Sequence, residues 1–473
     1  PAGCRSEPGA MTVLLLSIFV PLATAAFGAF VYWERRGRPA TVMAFLVGLI
    51  VLESTLYSSP NEVALGLLHP QIGSLSFRVF DILIPLAYLA RLVGRRTPER
   101  PHYAVQWWLP FAVWMFASGL IGTAMGNSFT LVTFEGKLLI YLLMVPLGAG
   151  VPARQYLESR AVRWVMVGSA VLATVLMLTN LAHVSISWSF ELLPLDELGT
   201  LGSDLASVFV MLGVVALAVA LASEERRGPI ALIAVPLLIC PLAVGQRAAM
   251  VGLAVSLGAL AVAVPFGRKR LRTTPTEVAL VLATGLCIVV LPTAAPAVSQ
   301  ASPGSLPFAS VLNDAFNGRE KQLSGEDRVY QWRKARGLIA QRPVFGWGLG
   351  YTYYSWDPGY FVFRQNFLTH NIVGDLLLRM GAVGLLLFTI PVALAIGLAL
   401  RLWRTLVDPR LAAITLGAAT AVVGLLAKGL FESIFEKYRL SIMLALLVGV
   451  IVAMDRELRE PVPVTLRMVE DSA

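Results

Sequence analysis

This chain has little charge. Only 14% of its 473 residues are Asp, Glu, Lys or Arg, against about 25% in soluble domains, while 57% are hydrophobic and the mean hydropathy is positive. An ordinary soluble globule is excluded. Cysteine is scarce too: Cys4, Cys240 and Cys287 make neither a disulfide framework nor a metal-ligand spacing. The four histidines, His69, His102, His183 and His370, lie far apart with no H-E-x-x-H and no paired carboxylates beside them. No metal site is expected. There is no Walker loop either, and Gly346, Gly348 and Gly350 follow no strand and lack the second half of a dinucleotide fingerprint. They read as a sharp turn.

What the chain has instead is apolar runs of membrane-crossing length. They fall at about 11–33, 40–59, 76–93, 104–123, 130–149, 161–183, 202–222, 229–245, 248–265, 277–297, 370–402, 409–427 and 438–454. The pattern predicts an all-α polytopic membrane protein of about 12 to 13 helices. Lys and Arg concentrate in alternate loops: Arg35, Arg36 and Arg38; Arg91, Arg95, Arg96 and Arg100; Arg154, Arg160 and Arg163; Arg226 and Arg227; Arg268, Lys269, Arg270 and Arg272; Arg401, Arg404 and Arg410. Such loops stay cytoplasmic. The net charge of +9 is therefore topogenic and does not imply nucleic acid as a partner.

This orientation puts the long polar insertion on the extracytoplasmic side. The expected organisation is a leader at 1–10, before Met11, N-terminal transmembrane helices at 11–297, an extracytoplasmic loop at 298–369, C-terminal transmembrane helices at 370–454 and a cytoplasmic tail at 455–473. Val298–Gly325, rich in Pro, Ser, Gly and Asn, reads as extended or poorly ordered chain. Glu326–Gln341 reads as an amphipathic helix capped by Ser324 or Asp327 and ended by Pro343. Its apolar positions are Val329, Trp332 and Ile339, and Arg328, Arg333, Lys334, Arg336 and Arg342 supply cations. An aromatic run follows, from Trp347 to Phe363, suited either to a lipid headgroup belt or to stacking on sugar.

Three strings carry a resemblance: R-V-Y-Q-W-R-K-A from Arg328, R-P-V-F-G-W-G-L-G from Arg342, and L-T-H-N-I-V-G-D-L-L-L-R-M-G-A-V-G from Leu368. Together they resemble the hallmark region of the O-antigen ligase and O-antigen polymerase superfamily. S-F-R-V-F-D-I-L at 76–83 and G-Q-R-A-A at 245–249 are weaker echoes. The resemblance implies a GT-C-like, metal-independent glycosyltransferase of the bacterial inner membrane. It would need no cofactor, and would transfer glycan from undecaprenyl diphosphate to an acceptor hydroxyl outside the cytoplasm. It also implies that Arg247 and Arg328 bind the donor diphosphate and that His370 is the catalytic residue.

The residue chemistry points the same way. A diphosphate leaving group needs fixed cations where its charge develops, and no D-x-D or acidic pair is placed to hold a divalent metal. Arginine stays protonated and meets phosphate in a bidentate fork. His370, at the junction of loop and helix, is placed to take the acceptor's proton. Plainer roles compete: interface snorkelling for Arg247, a solvated helix face for Arg328, a structural hydrogen bond for His370, and capping for Thr369 and Asn371. Arg333, Arg336 and Glu432 are secondary site candidates. Asp81 and Arg78, three apart, read as a salt bridge.

Three functions fit. A polymerase would join lipid-linked repeats, a ligase would pass the finished glycan to lipid A-core or a protein, and a transporter or flippase would use the many helices. A transporter would be expected to show internal repeats, and none is evident. Polymerase is preferred slightly over ligase, because nothing marks a lipid A-core acceptor. Membrane lipids and a chain-length regulator complete the expected partners.

Overall fold

A computed structural model describes residues 8–56, 71–72, 75–76, 78–94, 103–183, 203–223, 227–243, 247–264, 319–357, 361–435 and 437–459. The described helices are α1 Pro8–Arg35, α2 Pro39–Leu56, α3 Val79–Gly94, α4 Tyr103–Gln106, α5 Leu109–Ala124, α6 Phe129–Gly136, α7 Leu138–Tyr141, α8 Met144–Ala149, α9 Gln155–Glu158, α10 Arg160–His183, α11 Ser203–Ala222, α12 Arg227–Ala243, α13 Arg247–Ala263, α14 Arg319–Gln341, α15 Ile372–Thr405, α16 Pro409–Gly429 and α17 Tyr438–Arg459. Two antiparallel hairpins accompany them: β1 Gln71–Ile72 with β2 Leu75–Ser76, and β3 Tyr353–Asp357 with β4 Val362–Asn366, where Tyr353 faces Asn366.

The protein is an all-α polytopic membrane protein. Among the described residues seven segments are long and apolar enough to cross a membrane, and α2, α12 and α13 contain shorter apolar helices. The expected run at 277–297 lies outside the described residues, as do the chain at 298–318, His69, His102 and the side chain of Arg247. The core is centred on α17, whose residues Tyr438–Asp455 are all buried. Around it pack α8, α15 and α16, and α16 in turn meets α11 and α13. By contrast α5 and α10 bury under a third of their apolar windows and form the outer wall. Leucines on such walls are at home in lipid, where apolar exposure carries no penalty.

Two expectations need correction. The amphipathic helix starts at Arg319, so Ser324 and Asp327 lie inside it and not at its start. Its buried face is Gln331, Ala335 and Leu338 rather than Val329 and Trp332, because β3 and α15 present Tyr353 and Leu378 to that side. Pro343 does follow its end, as expected. Second, the run at 370–402 is not one continuous rod. It breaks at Gly381, with φ 64° and ψ −168°, and the 382–405 part, about 36 Å long, crosses on its own.

Candidate functional site

The break at Gly381 explains the glycine string. A break inside a membrane helix frees backbone groups that lipid cannot satisfy. Here the chain from Pro343 to Gly348 satisfies them. The N–H groups of Trp347 and Gly348 donate to the Leu378 and Arg379 carbonyls at 2.8 and 2.9 Å, and those of Ala382 and Val383 donate to Pro343 and Val344 at 2.8 and 3.2 Å. Gly346, Gly348 and Gly350 all hold φ between 72° and 80°, a region closed to most side chains. A Cβ on Gly346 would stand 2.5 Å from the Arg379 carbonyl, and one on Gly348 would overlap the Gly122 backbone of α5. The Asn127 amide clamps the turn by donating to the Trp347 and Leu349 carbonyls at 3.0 and 2.9 Å. The string is a wedge between helices.

A buried ion cluster seats the wedge. Arg379 Nε lies 2.6 Å from Glu135 of α6, its Nη1 lies 3.0 Å from Asp375, and its other arm donates to the Phe367 carbonyl. Glu135 also accepts from the Gly350 N–H at 2.8 Å, and Asp375 accepts from the Thr369 N–H and hydroxyl at 2.8 and 2.9 Å. Next to it, Arg342 lies 4.4 Å over the Trp347 ring, which stacks on Tyr351 at 4.8 Å. Burial raises the Tyr351 phenol's pKa while Arg342 pulls it down.

The start of α15 forms the rim of the candidate site. Asn371 caps it, its Oδ1 accepting from the N–H groups of Val373 and Gly374 at 2.9 and 3.1 Å. Its amide donates to the Leu430 carbonyl at 2.8 Å, tying α15 to the α16–α17 connection. Trp332 lies against Gly374, where a Cβ would stand 2.5 Å from the ring. That contact positions Arg328, one helical turn earlier, and its Nη1 donates to the Phe431 carbonyl at 2.9 Å. Arg328 is exposed. Between Asp375-bound Thr369 and the cap, His370 is held at φ 52°, one of two non-glycine residues with positive φ among those described. Such strain marks positions that the surroundings over-determine.

From the rim a polar network runs inward. Glu432 sits 2.7 Å from Lys428 and 3.8 Å from Lys437. Lys437 is 3.8 Å and Arg439 3.4 Å from Asp204, and Arg439 is 3.3 Å from Glu53. The Tyr438 hydroxyl donates to Glu53, and Arg78 lies 3.8 Å over the Tyr438 ring. All of these sit at one end of the bundle, the starts of α3, α11, α15 and α17 and the ends of α2 and α16. Arg247 opens α13, which crosses α16 so closely that a Cβ on Gly252 would stand 3.0 Å from the Gly424 carbonyl and 3.5 Å from Lys428. The first turn of α13 therefore belongs to the same end.

Residues 212–389 match the family model described as O-Antigen ligase. That stretch is similar to an O-antigen ligase domain. The match supports the O-antigen ligase and polymerase-like superfamily, an activity of that general type, and a glycosyltransferase-like enzyme acting on glycan and lipid substrates. No curated protein matches the chain.

The matched stretch contains Arg247, Arg328 and His370 and ends just beyond the helix break, at residue 389. Arg333 and Arg336 lie within it but are exposed on α14, Arg333 lying 5.7 Å over the Tyr330 ring, and among the described residues neither reaches the rim. Glu432 lies beyond the domain match and joins the rim through Lys428. The Arg78–Asp81 salt bridge is replaced. Asp81 pairs with Lys137 at 2.7 Å, accepts from the Tyr141 hydroxyl at 2.7 Å and caps the Arg78 N–H at 2.9 Å, which frees the Arg78 guanidinium for the Tyr438 ring. Lys137, Lys437 and Arg439 were not among the residues expected at this end. One signal could have found them: they are cations on the side of the membrane where the loops otherwise have almost none.

Proposed function

We propose that the chain is a metal-independent, inverting glycosyltransferase of the bacterial inner membrane. It moves glycan from an undecaprenyl diphosphate-linked donor to an acceptor hydroxyl at the extracytoplasmic face, with polymerisation of O-antigen or exopolysaccharide repeats as the first reading. The observation that carries this reading is the convergence of Arg328, His370 and Leu430–Glu432 at one rim, in and beside an O-antigen ligase domain.

In the proposed step the acceptor oxygen attacks the anomeric carbon, the bond from that carbon to the diphosphate oxygen breaks, and the electron pair leaves with the diphosphate. His370 takes the hydroxyl proton. Arg328 has one of its five N–H donors on the Phe431 carbonyl, and its exposed fork can turn the rest to the diphosphate. Arg247 is assigned to the same diphosphate from its place at the start of α13. Behind the rim Lys428, Lys437 and Arg439 are balanced by Glu432, Asp204 and Glu53, so this network holds the rim in place and leaves Arg328 and Arg247 to meet the diphosphate. Attack opposite the leaving group inverts the anomeric centre.

The matched family's description favours a second reading, ligation to lipid A-core or to a protein. One experiment separates the two: transfer in proteoliposomes from an undecaprenyl diphosphate-linked oligosaccharide, with and without chelator. A ladder of longer lipid-linked glycans that survives chelation is expected, with Arg328→Ala lowering the rate by about 100-fold or more and leaving thermal stability intact. A single transfer seen only with added lipid A-core means ligation. No transfer by well-folded protein to any acceptor, or loss of transfer on chelation, would overturn the proposal.

A further inference from the structure

Arg78 stands just before α3, at the end of the bundle that carries the rim. Its backbone N–H donates to Asp81 at 2.9 Å, but the Asp81 carboxylate also holds Lys137 and the Tyr141 hydroxyl, each at 2.7 Å. The other carboxylates described at this end are committed as well: Glu135 and Asp375 to Arg379, Glu432 to Lys428, Asp204 to Lys437 and Arg439, and Glu53 to Arg439. Among the described residues none of them forms an ion pair with the Arg78 guanidinium. Rings hold it instead. Its central carbon lies 3.8 Å over Tyr438 and 5.1 Å over Phe134, with the Tyr141 hydroxyl as a polar neighbour. Aromatic rings cover the faces of a guanidinium and leave its N–H donors, which point outwards in its plane, for an anion. Arg78 is half-buried, and a cation so placed without a carboxylate calls for an anion from outside the chain.

Two contacts fix where Arg78 stands relative to His370. The Phe134 ring meets the Phe367 ring at 6.5 Å, on the chain entering the histidine turn. On the chain leaving it, Asn371 donates to the Leu430 carbonyl, next to the Phe431 carbonyl that holds Arg328. The two arginines thus approach the turn from its two ends. We propose that Arg78 binds the phosphate of the acceptor glycolipid, while Arg328 serves the diphosphate that leaves. This assignment rests on the transfer reaction proposed above, in which two glycolipids must be held at once and only the donor gives up its diphosphate. A guanidinium at the start of a helix lies at the level of lipid headgroups, where the phosphate of a membrane-bound acceptor lies too. A lipid-linked repeat and a phosphorylated lipid A-core share that chemistry.

The test uses the full chain, purified and delipidated in detergent, with native mass spectrometry to count bound lipid and thermal unfolding to follow the fold. The probes are undecaprenyl diphosphate and phosphorylated lipid A, each against an excess of phosphatidylglycerol. Wild type is expected to hold either two undecaprenyl diphosphates, which marks a lipid-linked acceptor, or one together with one lipid A, which marks lipid A-core. Arg78→Met keeps the packing against the rings; it should weaken one of the two sites by about tenfold or more, spare the other, and leave the lipid-free unfolding midpoint at the wild-type value. Arg328→Ala should weaken the site that Arg78→Met spares. Four results would overturn the assignment and leave the transfer reading standing: unchanged binding in Arg78→Met, a lowered lipid-free midpoint in that variant, displacement of the second lipid by phosphatidylglycerol, or a single bound lipid lost on changing either arginine. No undecaprenyl diphosphate on folded wild type would overturn both.

Discussion

Two regions meet at the start of α15 and are built in opposite ways. Around Arg379 the guanidinium is 5% exposed, carries a carboxylate on each side, and is walled by a wedge whose backbone groups pair with the broken helix. Around Arg328 the guanidinium is exposed and holds a backbone carbonyl, beside a histidine kept in the left-handed region. The first arginine is committed to the fold. The second keeps exposed donors, which the proposed function assigns to the diphosphate. Within one short stretch of conspicuous motif, then, the same residue type does two jobs, and burial with charge pairing tells them apart.

The strongest way to break this contrast is Arg379→Met. It leaves Glu135 and Asp375 buried without their cation, a change that costs about 3–5 kcal/mol, and it unlatches the wedge from α6. Thermal unfolding in detergent should show that loss, with activity falling alongside it. Arg328→Ala should shift stability by no more than about 0.5 kcal/mol while transfer collapses. If the two variants exchanged these behaviours, the assignment of structural and functional arginines would be reversed.

A pair of glycine substitutions sharpens the same point at smaller cost. Gly348→Ala puts a side chain at φ 80° and against the α5 backbone, so a loss of about 1–3 kcal/mol is expected. Gly337→Ala, near the C-terminal end of α14 with open space around the added carbon, should be neutral or stabilising by up to about 1 kcal/mol. Equal midpoints for both would mean that the wedge is not held by contact.

The helices were legible because each apolar run is long and its flanks carry charge; twelve of the thirteen expected runs coincide with described helices within a few residues. The break at Gly381 was not, since hydropathy continues unchanged through Met380–Gly384 and its cause, the wedge, is far away in sequence. The β3–β4 hairpin escaped because the aromatic run was read for what its side chains touch. Its own signal was present: two stretches rich in aromatic residues around Asp357-Pro358-Gly359. The hairpin also divides that run, with Tyr353 buried and Tyr354, Phe361 and Phe363 exposed. Of the site, Arg328, His370 and Glu432 could be chosen from chemistry and spacing. Lys437 and Arg439 stood out only as cations on the cation-poor side, and their pairing was not legible, because their partners Glu53 and Asp204 come from α2 and the start of α11.

The smallest expected effect on stability falls at His370, and it bears on both regions. Its left-handed backbone is imposed from two sides: Asp375, part of the Arg379 cluster, holds Thr369, and Asn371 is fixed by its cap and by Leu430. The buried region therefore fixes the backbone of the residue proposed as the base. His370→Gly removes the imidazole while suiting φ 52° better, so the unfolding midpoint should stay level or rise by less than about 1 kcal/mol, with transfer falling by about 100-fold. His370→Ala loses the same ring but keeps the strained backbone. If glycine and alanine impair transfer equally while only alanine is destabilised, the imidazole itself is what the reaction needs. Transfer restored by glycine alone would instead make the strained turn, and not the ring, the working part.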